Sequence, residues 1–156
     1  MNNNVKHSII WLTGQPGSGK TTLSNKIKET LSIDKKFSNT EIVQIDGDDL
    51  RILTENQDYS KDGRFANIRL GQNLALFCQN KGFLVIVSLV APYIELREEF
   101  KNRTNVFEVY LHTTEIRGRE NFFSKDYTKP IKDFISIDTT NKKIGESADE
   151  ILSFYR

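Results

Sequence analysis

The chain runs to 156 residues, room for one domain with a sizeable core, and no Pro/Gly/Ser-rich linker or internal repeat divides it. Twenty-two basic residues against twenty-one acidic ones leave a formal net charge of +1, which excludes a nucleic-acid binder held by phosphate neutralisation and points to a small-molecule partner. No apolar run approaches the ~20 residues that span a bilayer, and the start Met1-Asn2-Asn3-Asn4 lacks the apolar core of a secretion signal, so no membrane partner and a cytoplasmic location are expected.

Residues 1–7, His7 included, read as a flexible tail. The apolar run Ser8–Thr13 predicts a strand, and Gly14-Gln15-Pro16-Gly17-Ser18-Gly19-Lys20-Thr21 follows it in the pattern GxxxxGK[ST]. Such a loop turns successive N–H groups inward on a phosphate, which then sits at the positive end of the next helix, Lys20–Leu31. The pattern makes Gly14, Gly17, Ser18, Gly19, Lys20, Thr21 and Thr22 the candidate ATP-binding residues. Lys20 reaches toward the β- and γ-phosphates and Thr21 toward Mg²⁺.

The next strand, Glu41–Asp46, runs straight into Asp46-Gly47-Asp48-Asp49-Leu50-Arg51. Three acids in four positions repel one another unless a metal ion, Arg51 or substrate hydroxyls offset them, so this turn reads as a site. A solvated acidic turn with Asp48 as a helix cap is the plainer alternative. Asp46, ending the strand, is the candidate second metal ligand, and Asp48 the group that accepts a proton from an attacking hydroxyl.

Helical period covers Ser60 to Lys81, with Leu70, Leu74, Phe77 and Cys78 on one face and Gly82 just past the end. Cys78, the single cysteine, reads as a small buried hydrophobe and is given no chemistry. At the start of this helix Arg64 and Asn67 share a face. Arg64 offers a fork for a phosphate-like group, Asn67 an amide for a base or sugar edge, and the preceding Tyr59 a ring for stacking.

The strand Phe83–Ser88 is apolar throughout, as expected for a central strand covered on both faces. Ser88-Leu89-Val90-Ala91-Pro92-Tyr93 leaves its carboxyl end, and Arg97 follows on a helix over Glu95–Arg103. After a strand at Val106–Leu111 comes the charged and aromatic segment 112–130, read as a lid in which Arg117 or Arg119 brings positive charge to a transferring group. His112, opening it, reads as a structural strand-end residue. A strand at Phe134–Asp138 and a helix at Ile144–Tyr155 close the chain. Strands and helices alternate, so the expected fold is α/β, a five-stranded parallel sheet with helices on both faces and ligands beyond the carboxyl ends of the strands.

Taken together these motifs resemble the adenylylsulfate kinase family, P-loop enzymes that transfer the γ-phosphoryl group of ATP to the ribose 3′-hydroxyl of adenosine 5′-phosphosulfate in sulfate assimilation. The resemblance enters at Ile10-Trp11-Leu12-Thr13-Gly14 and the P-loop. It continues in Asp46-Gly47-Asp48-Asp49-Leu50-Arg51, similar to the family's DGDxxR, and in Arg64-Phe65-Ala66-Asn67-Ile68-Arg69, similar to its DRxxNIRR. Val87 to Tyr93 resembles its VSxxSPY, and Ile137-Asp138-Thr139-Thr140-Asn141 its late IDT segment.

The resemblance implies a P-loop NTPase fold and a magnesium-dependent kinase, often a homodimer, with Lys20 and Asp48 catalytic. Asp48 then lies near the 3′-hydroxyl, Arg51, Arg64, Asn67 and Ser88 hold the acceptor, Tyr59 replaces the family's stacking phenylalanine, and Phe122 or Phe123 covers the other face of the base. Gly63 stands where the family has Asp, Leu70 where it has its last Arg, and the loop from Arg51 to Tyr59 is slightly short. The family also carries a helix and a Lys/Arg-rich lid before its NF step, whereas here Leu111-His112-Thr113-Thr114 passes almost directly into Glu115-Ile116-Arg117. That shortening opens two alternatives: a 3′-kinase for another nucleotide-linked acceptor such as a cytidine diphosphoramidate, or a nucleotide-binding module without transfer activity.

Overall fold

A computed structural model describes residues 7–156; the remainder of the predicted tail, residues 1–6, lies outside the described residues. His7, placed in that tail, is seated on the fold instead. Its carbonyl accepts from Tyr155 Oη at 2.6 Å, and its ring lies 5.8 Å from that of Phe107.

In chain order the elements are β1 (Ile9–Thr13), α1 (Lys20–Ile33), β2 (Ile42–Asp46), α2 (Gly47–Thr54), α3 (Lys61–Asn80), β3 (Leu84–Ser88), α4 (Ile94–Arg103), β4 (Val106–His112), β5 (Phe134–Asp138) and α5 (Ile144–Tyr155). Single 3₁₀ turns add Lys35–Phe37 and Glu120–Phe122. The five strands are parallel in the order β2-β3-β1-β4-β5, the α/β P-loop NTPase arrangement expected. β3 is interior, between β2 and β1, but the middle position belongs to β1.

Alternation along the strands sorts the core into two layers. Ile10 and Leu12 of β1, Leu84 and Ile86 of β3, and Val109 and Leu111 of β4 face Leu23, Ile27 and Leu31 of α1 and Ala148, Ile151 and Leu152 of α5. Ile9, Trp11, Val85, Val87 and Val106 face Leu50, Ile68, Ala75, Leu96 and Phe100 of α2, α3 and α4. Each fully buried aliphatic side chain contributes about 1.5–3 kcal/mol, and both layers meet on β1, every residue of which is buried. The middle strand therefore holds the phosphate loop at a fixed height above the sheet.

Local signals set the ends of the elements. Asp46 caps α2, its Oδ1 accepting from Asp48 N–H at 2.9 Å, and α2 stops at Glu55 in the left-handed region. The cap is thus Asp46 and not Asp48. α3 ends as its sequence predicts: Gly82 at φ 92° donates to the Gln79 carbonyl, and Phe83 N–H reaches the Cys78 carbonyl. Its buried face differs from the expected one. Gly63, Asn67, Ile68, Gly71, Gln72 and Ala75 are buried, Leu70, Leu74 and Cys78 are half-buried, and Phe77 is exposed. Small residues let α3 lie close: a Cβ on Gly71 would stand 2.8 Å from Leu89 Cδ1, and buried Gln72 donates to the Leu96 carbonyl at 2.9 Å.

Candidate active site

At the carboxyl ends of β1, β2 and β3 the chain encloses a cleft of about 770 Å³, within the range of small-ligand sites. Its near wall is the phosphate loop, with Gly17, Gly19, Lys20, Thr21 and Thr22. Asp46, Asp48, Ser88, Leu89 and Val90 form its floor. Arg51, Tyr59, Arg64 and Asn67 stand at the far end, and Arg119, Asn121, Phe122 and Phe123 close over the top.

Within the loop, Gly19 sits at φ 101°, a conformation side chains rarely adopt, just before the first residue of α1. Gly14 is buried, and a Cβ there would strike the Leu111 carbonyl and stand 2.8 Å from Ser18 Oγ. Ser18 is buried too, its N–H donating to the Gln15 carbonyl at 3.1 Å. Gly14 and Ser18 accordingly shape the loop from behind and do not line the cleft.

Lys20 Nζ donates to the carbonyls of Gly14 and Gln15 at 2.9 and 3.0 Å and to Ser18 Oγ at 3.4 Å. Burial lowers its pKa from 10.5 to about 8; Asp46 and Asp48 push it back up, while Arg119 pushes it further down. That balance places two carboxylates and one guanidinium in the field of this single ammonium. Thr21 Oγ1 donates to Asp46 Oδ2 at 2.7 Å, so a hydroxyl and a carboxylate oxygen converge beside the loop. Hard oxygen donors in this number suit Mg²⁺, which takes one or two protein oxygens and fills its shell with water and phosphate.

At the far end the arrangement is more constrained than the residue types alone suggest. Arg51 Nη1 donates to the carbonyls of Asn56 and Asp58 at 3.1 and 3.0 Å, and its guanidinium lies 4.0 Å from the centre of the Tyr59 ring. Tyr59, expected to stack on a ligand, thus carries Arg51 on one face. The loop from residue 55 to 59 reaches this position by lying on Gly63. Asn56 Nδ2 donates to the Gly63 carbonyl at 3.1 Å, and a Cβ on Gly63 would come within 2.6 Å of Asp58 Cβ and collide with its carbonyl. Gly63→Ala should therefore cost about 1–3 kcal/mol, the usual range for overpacking, and lower the melting temperature by several degrees. A thermal melt showing no loss would contradict this account of the loop.

Arg64 Nη1 donates to Ser124 Oγ at 2.8 Å. Asn67 is buried, its Nδ2 donating to the Gly47 carbonyl at 3.4 Å, and its Oδ1 has no hydrogen-bond partner within the described residues. With Nδ2 on the Gly47 carbonyl, Oδ1 is a buried acceptor left to be satisfied.

The wall after β3 is held from behind. The Val90 carbonyl accepts from Thr13 Oγ1 at 2.7 Å, the Ala91 carbonyl from Arg97 Nη1, and the Pro92 carbonyl from Thr128 N–H at 3.0 Å. These ties keep Ala91 at φ 44°. Arg97 is buried against Glu108 at 3.1 Å and also reaches the Thr128 carbonyl, so it buttresses the wall without entering the cleft. Tyr127 Oη pairs with Thr13 Oγ1 at 2.9 Å, and burial pushes that phenol up to about 12.

In the lid segment the two arginines separate. Arg119 lines the cleft, whereas Arg117 turns back to the Gly17 and Thr139 carbonyls at 3.0 and 3.1 Å and pairs with Glu115. His112 Nε2 bonds Ser136 Oγ at 3.0 Å, a strand-end contact. Sequence reading missed Gln15, Asn121 and Ser124. Asn121 adjoins the recognised Phe122, but nothing local marks the other two, whose partners lie far along the chain.

Comparison with known proteins places the chain by family and by fold. The family model of adenylylsulphate kinase matches residues 6–148. The cytidine diphosphoramidate kinase of Campylobacter jejuni is 30% identical over 135 residues, 83% of this chain and 77% of that protein. The adenylyl-sulfate kinase of Picosynechococcus sp. is 33% identical over 135 residues, 83% of this chain and 74% of that protein. Among solved structures, the Mycobacterium tuberculosis APS kinase in complex with AMPPNP and APS superposes with a TM-score of 0.77 at 21% identity, covering 95% of this chain and 96% of that one. A gluconokinase from Sinorhizobium meliloti superposes at 0.64 with 17% identity, over 96% of this chain and 91% of that one. At these identities the structural likenesses speak for the fold.

Proposed function

The chain belongs to the adenylylsulphate kinase family, a kinase that transfers phosphoryl to a hydroxyl, and from that premise we propose that it phosphorylates the ribose 3′-hydroxyl of a nucleotide, adenosine 5′-phosphosulfate in the first instance. One observation carries this reading: the phosphate loop and Asp48, Arg64, Asn67 and Phe122 line a single cleft. Donor and acceptor can then meet in line between them.

Lys20 and the loop amides hold the β- and γ-phosphates, and Asp48 orients the hydroxyl and takes its proton. The hydroxyl oxygen bonds to the γ-phosphorus as the bond to the β,γ-bridging oxygen breaks, and ADP leaves with that electron pair. Arg119, above the cleft, offsets charge on the transferring group. Thr21 and Asp46 would hold Mg²⁺, which neutralises charge on the β- and γ-oxygens when bound. Arg64 faces the anionic end of the acceptor, and Phe122 or Phe123 covers its base.

The unpartnered Asn67 Oδ1 supports an acceptor that brings a hydrogen-bond donor to it, from a base N–H or a ribose hydroxyl. A cytidine diphosphoramidate acceptor is the second reading, favoured by the short connection between β4 and the 3₁₀ turn at Glu120–Phe122 and by the Campylobacter relative.

A coupled ADP-release assay with MgATP decides among them when run with adenylyl sulfate, cytidine diphosphate derivatives and their uridine counterparts in parallel. Turnover is expected with adenylyl sulfate and, on the second reading, with the cytidine compounds. Turnover confined to the uridine compounds would contradict both readings. ATP binding with no acceptor-dependent ADP release would overturn the proposal and indicate a binding module.

A further inference from the structure

Gln15 occupies a position that the phosphate-loop pattern leaves open, and its side chain addresses the lid. Its Nε2 donates to the Ser124 carbonyl at 2.9 Å, and its Oε1 accepts from Ser124 N–H, also at 2.9 Å. One amide thus satisfies both main-chain groups of one residue, as a neighbouring strand would. Ser124 is buried among residues exposed on both sides of it, and its hydroxyl accepts from Arg64 Nη1 at 2.8 Å. The three contacts form a chain from the phosphate loop, through the lid, to the helix at the far end of the cleft. Asn121, Phe122 and Phe123, which line the cleft, immediately precede Ser124.

We propose that Gln15 is a positioning residue: by bracketing Ser124 it fixes the register of Asn121, Phe122 and Phe123 over the acceptor, so that acceptor recognition depends on a side chain of the phosphate loop. This rests on the assignment of the far end of the cleft to the acceptor. The requirement is strict, because the side chain must donate and accept at once. A methionine of similar length does neither, and an ionised glutamate can accept from the Ser124 N–H but sets a negative charge against its carbonyl.

The test compares wild type with Gln15→Met and Gln15→Glu, using adenylyl sulfate and cytidine diphosphate as acceptor probes. In Gln15→Met the acceptor KM should rise about tenfold or more, the weight of two ordinary hydrogen bonds, while the KM for ATP stays within about twofold. Gln15→Glu, which keeps one bond but opposes the Ser124 carbonyl with a charge, should also raise the acceptor KM about tenfold or more. Deuterium exchange without any acceptor should show faster exchange over residues 119–126 in Gln15→Met, with the β1 and β4 segments unchanged. Unchanged exchange over 119–126, or an ATP KM that rises as much as the acceptor KM, would overturn the proposal. A wild-type protein that binds ATP but refuses every acceptor would overturn the assignment beneath it, and the exchange measurement would still judge the bracket by itself.

Discussion

Asp48→Asn is expected to lower kcat by about 10²-fold or more, within the span of a positioned general base, while the KM for ATP stays within about twofold. The substitution keeps the shape of the side chain and removes only its capacity to take a proton. It leaves α2 in place, because that helix is capped by Asp46 Oδ1 on the Asp48 main-chain N–H, a bond independent of the Asp48 side chain. Steady-state kinetics in the coupled assay separate the two effects, and a circular dichroism spectrum matching wild type confirms the fold. Wild-type turnover in this variant would remove Asp48 from the mechanism.

Lys20→Met is expected to lower kcat/KM by on the order of 10²–10³-fold, as loss of one preorganised charge at a developing anion does, and it should also change the pH dependence of nucleotide binding. In the protein without nucleotide the Lys20 pKa is about 8, lowered chiefly by burial. A triphosphate beside the ammonium favours its charged form, so the pKa rises on binding. Binding therefore takes up a proton above pH 8. Affinity for ATP should be full below that value and fall by up to about tenfold per pH unit as pH rises above it, by one-proton linkage. Calorimetric titrations from pH 7 to 9.5 should show this slope in wild type and a flat profile in Lys20→Met. A flat wild-type profile would contradict the assigned contact between Lys20 and the phosphates.

Much of the fold was legible because its signals are local. Five apolar runs, the Gly82 stop and the GxxxxGK[ST] loop all stand where the structure has them. α2 escaped notice because the acidic run Asp46 to Asp49 reads equally as a turn, and what makes it a helix is one side chain reaching the N–H two residues on. The face of α3 was misplaced for a different reason. Large apolar residues marked Leu70, Leu74 and Phe77, but the helix packs through Gly71 and Ala75, where small size permits approach. In the site, most of the residues singled out in the sequence line one cleft, and their engagements with one another were not legible there. Arg51 is drawn onto Asn56 and Asp58 because Gly63 admits the short loop, and Ser124 is gripped from 109 residues away. Contacts of that span leave no period or spacing in a sequence.

The same long-range ties hold residues 117–124 against the cleft. Arg117 on the Gly17 carbonyl and Gln15 on Ser124 fasten this segment at two points to the loop that holds the phosphates. Arg119, Phe122 and Phe123 are carried between those points. Proximity of this kind, more than any single group, is what phosphoryl transfer demands of a protein.

The most direct test of a shared cleft follows the phosphorus atom itself. With γ-labelled ATP, Mg²⁺ and adenylyl sulfate or a cytidine diphosphate derivative, the label should appear on the acceptor, and phosphorus–proton coupling should locate it on the ribose 3′-oxygen. Label recovered only as inorganic phosphate, whichever acceptor is supplied, would show that no acceptor hydroxyl reaches the triphosphate in this protein.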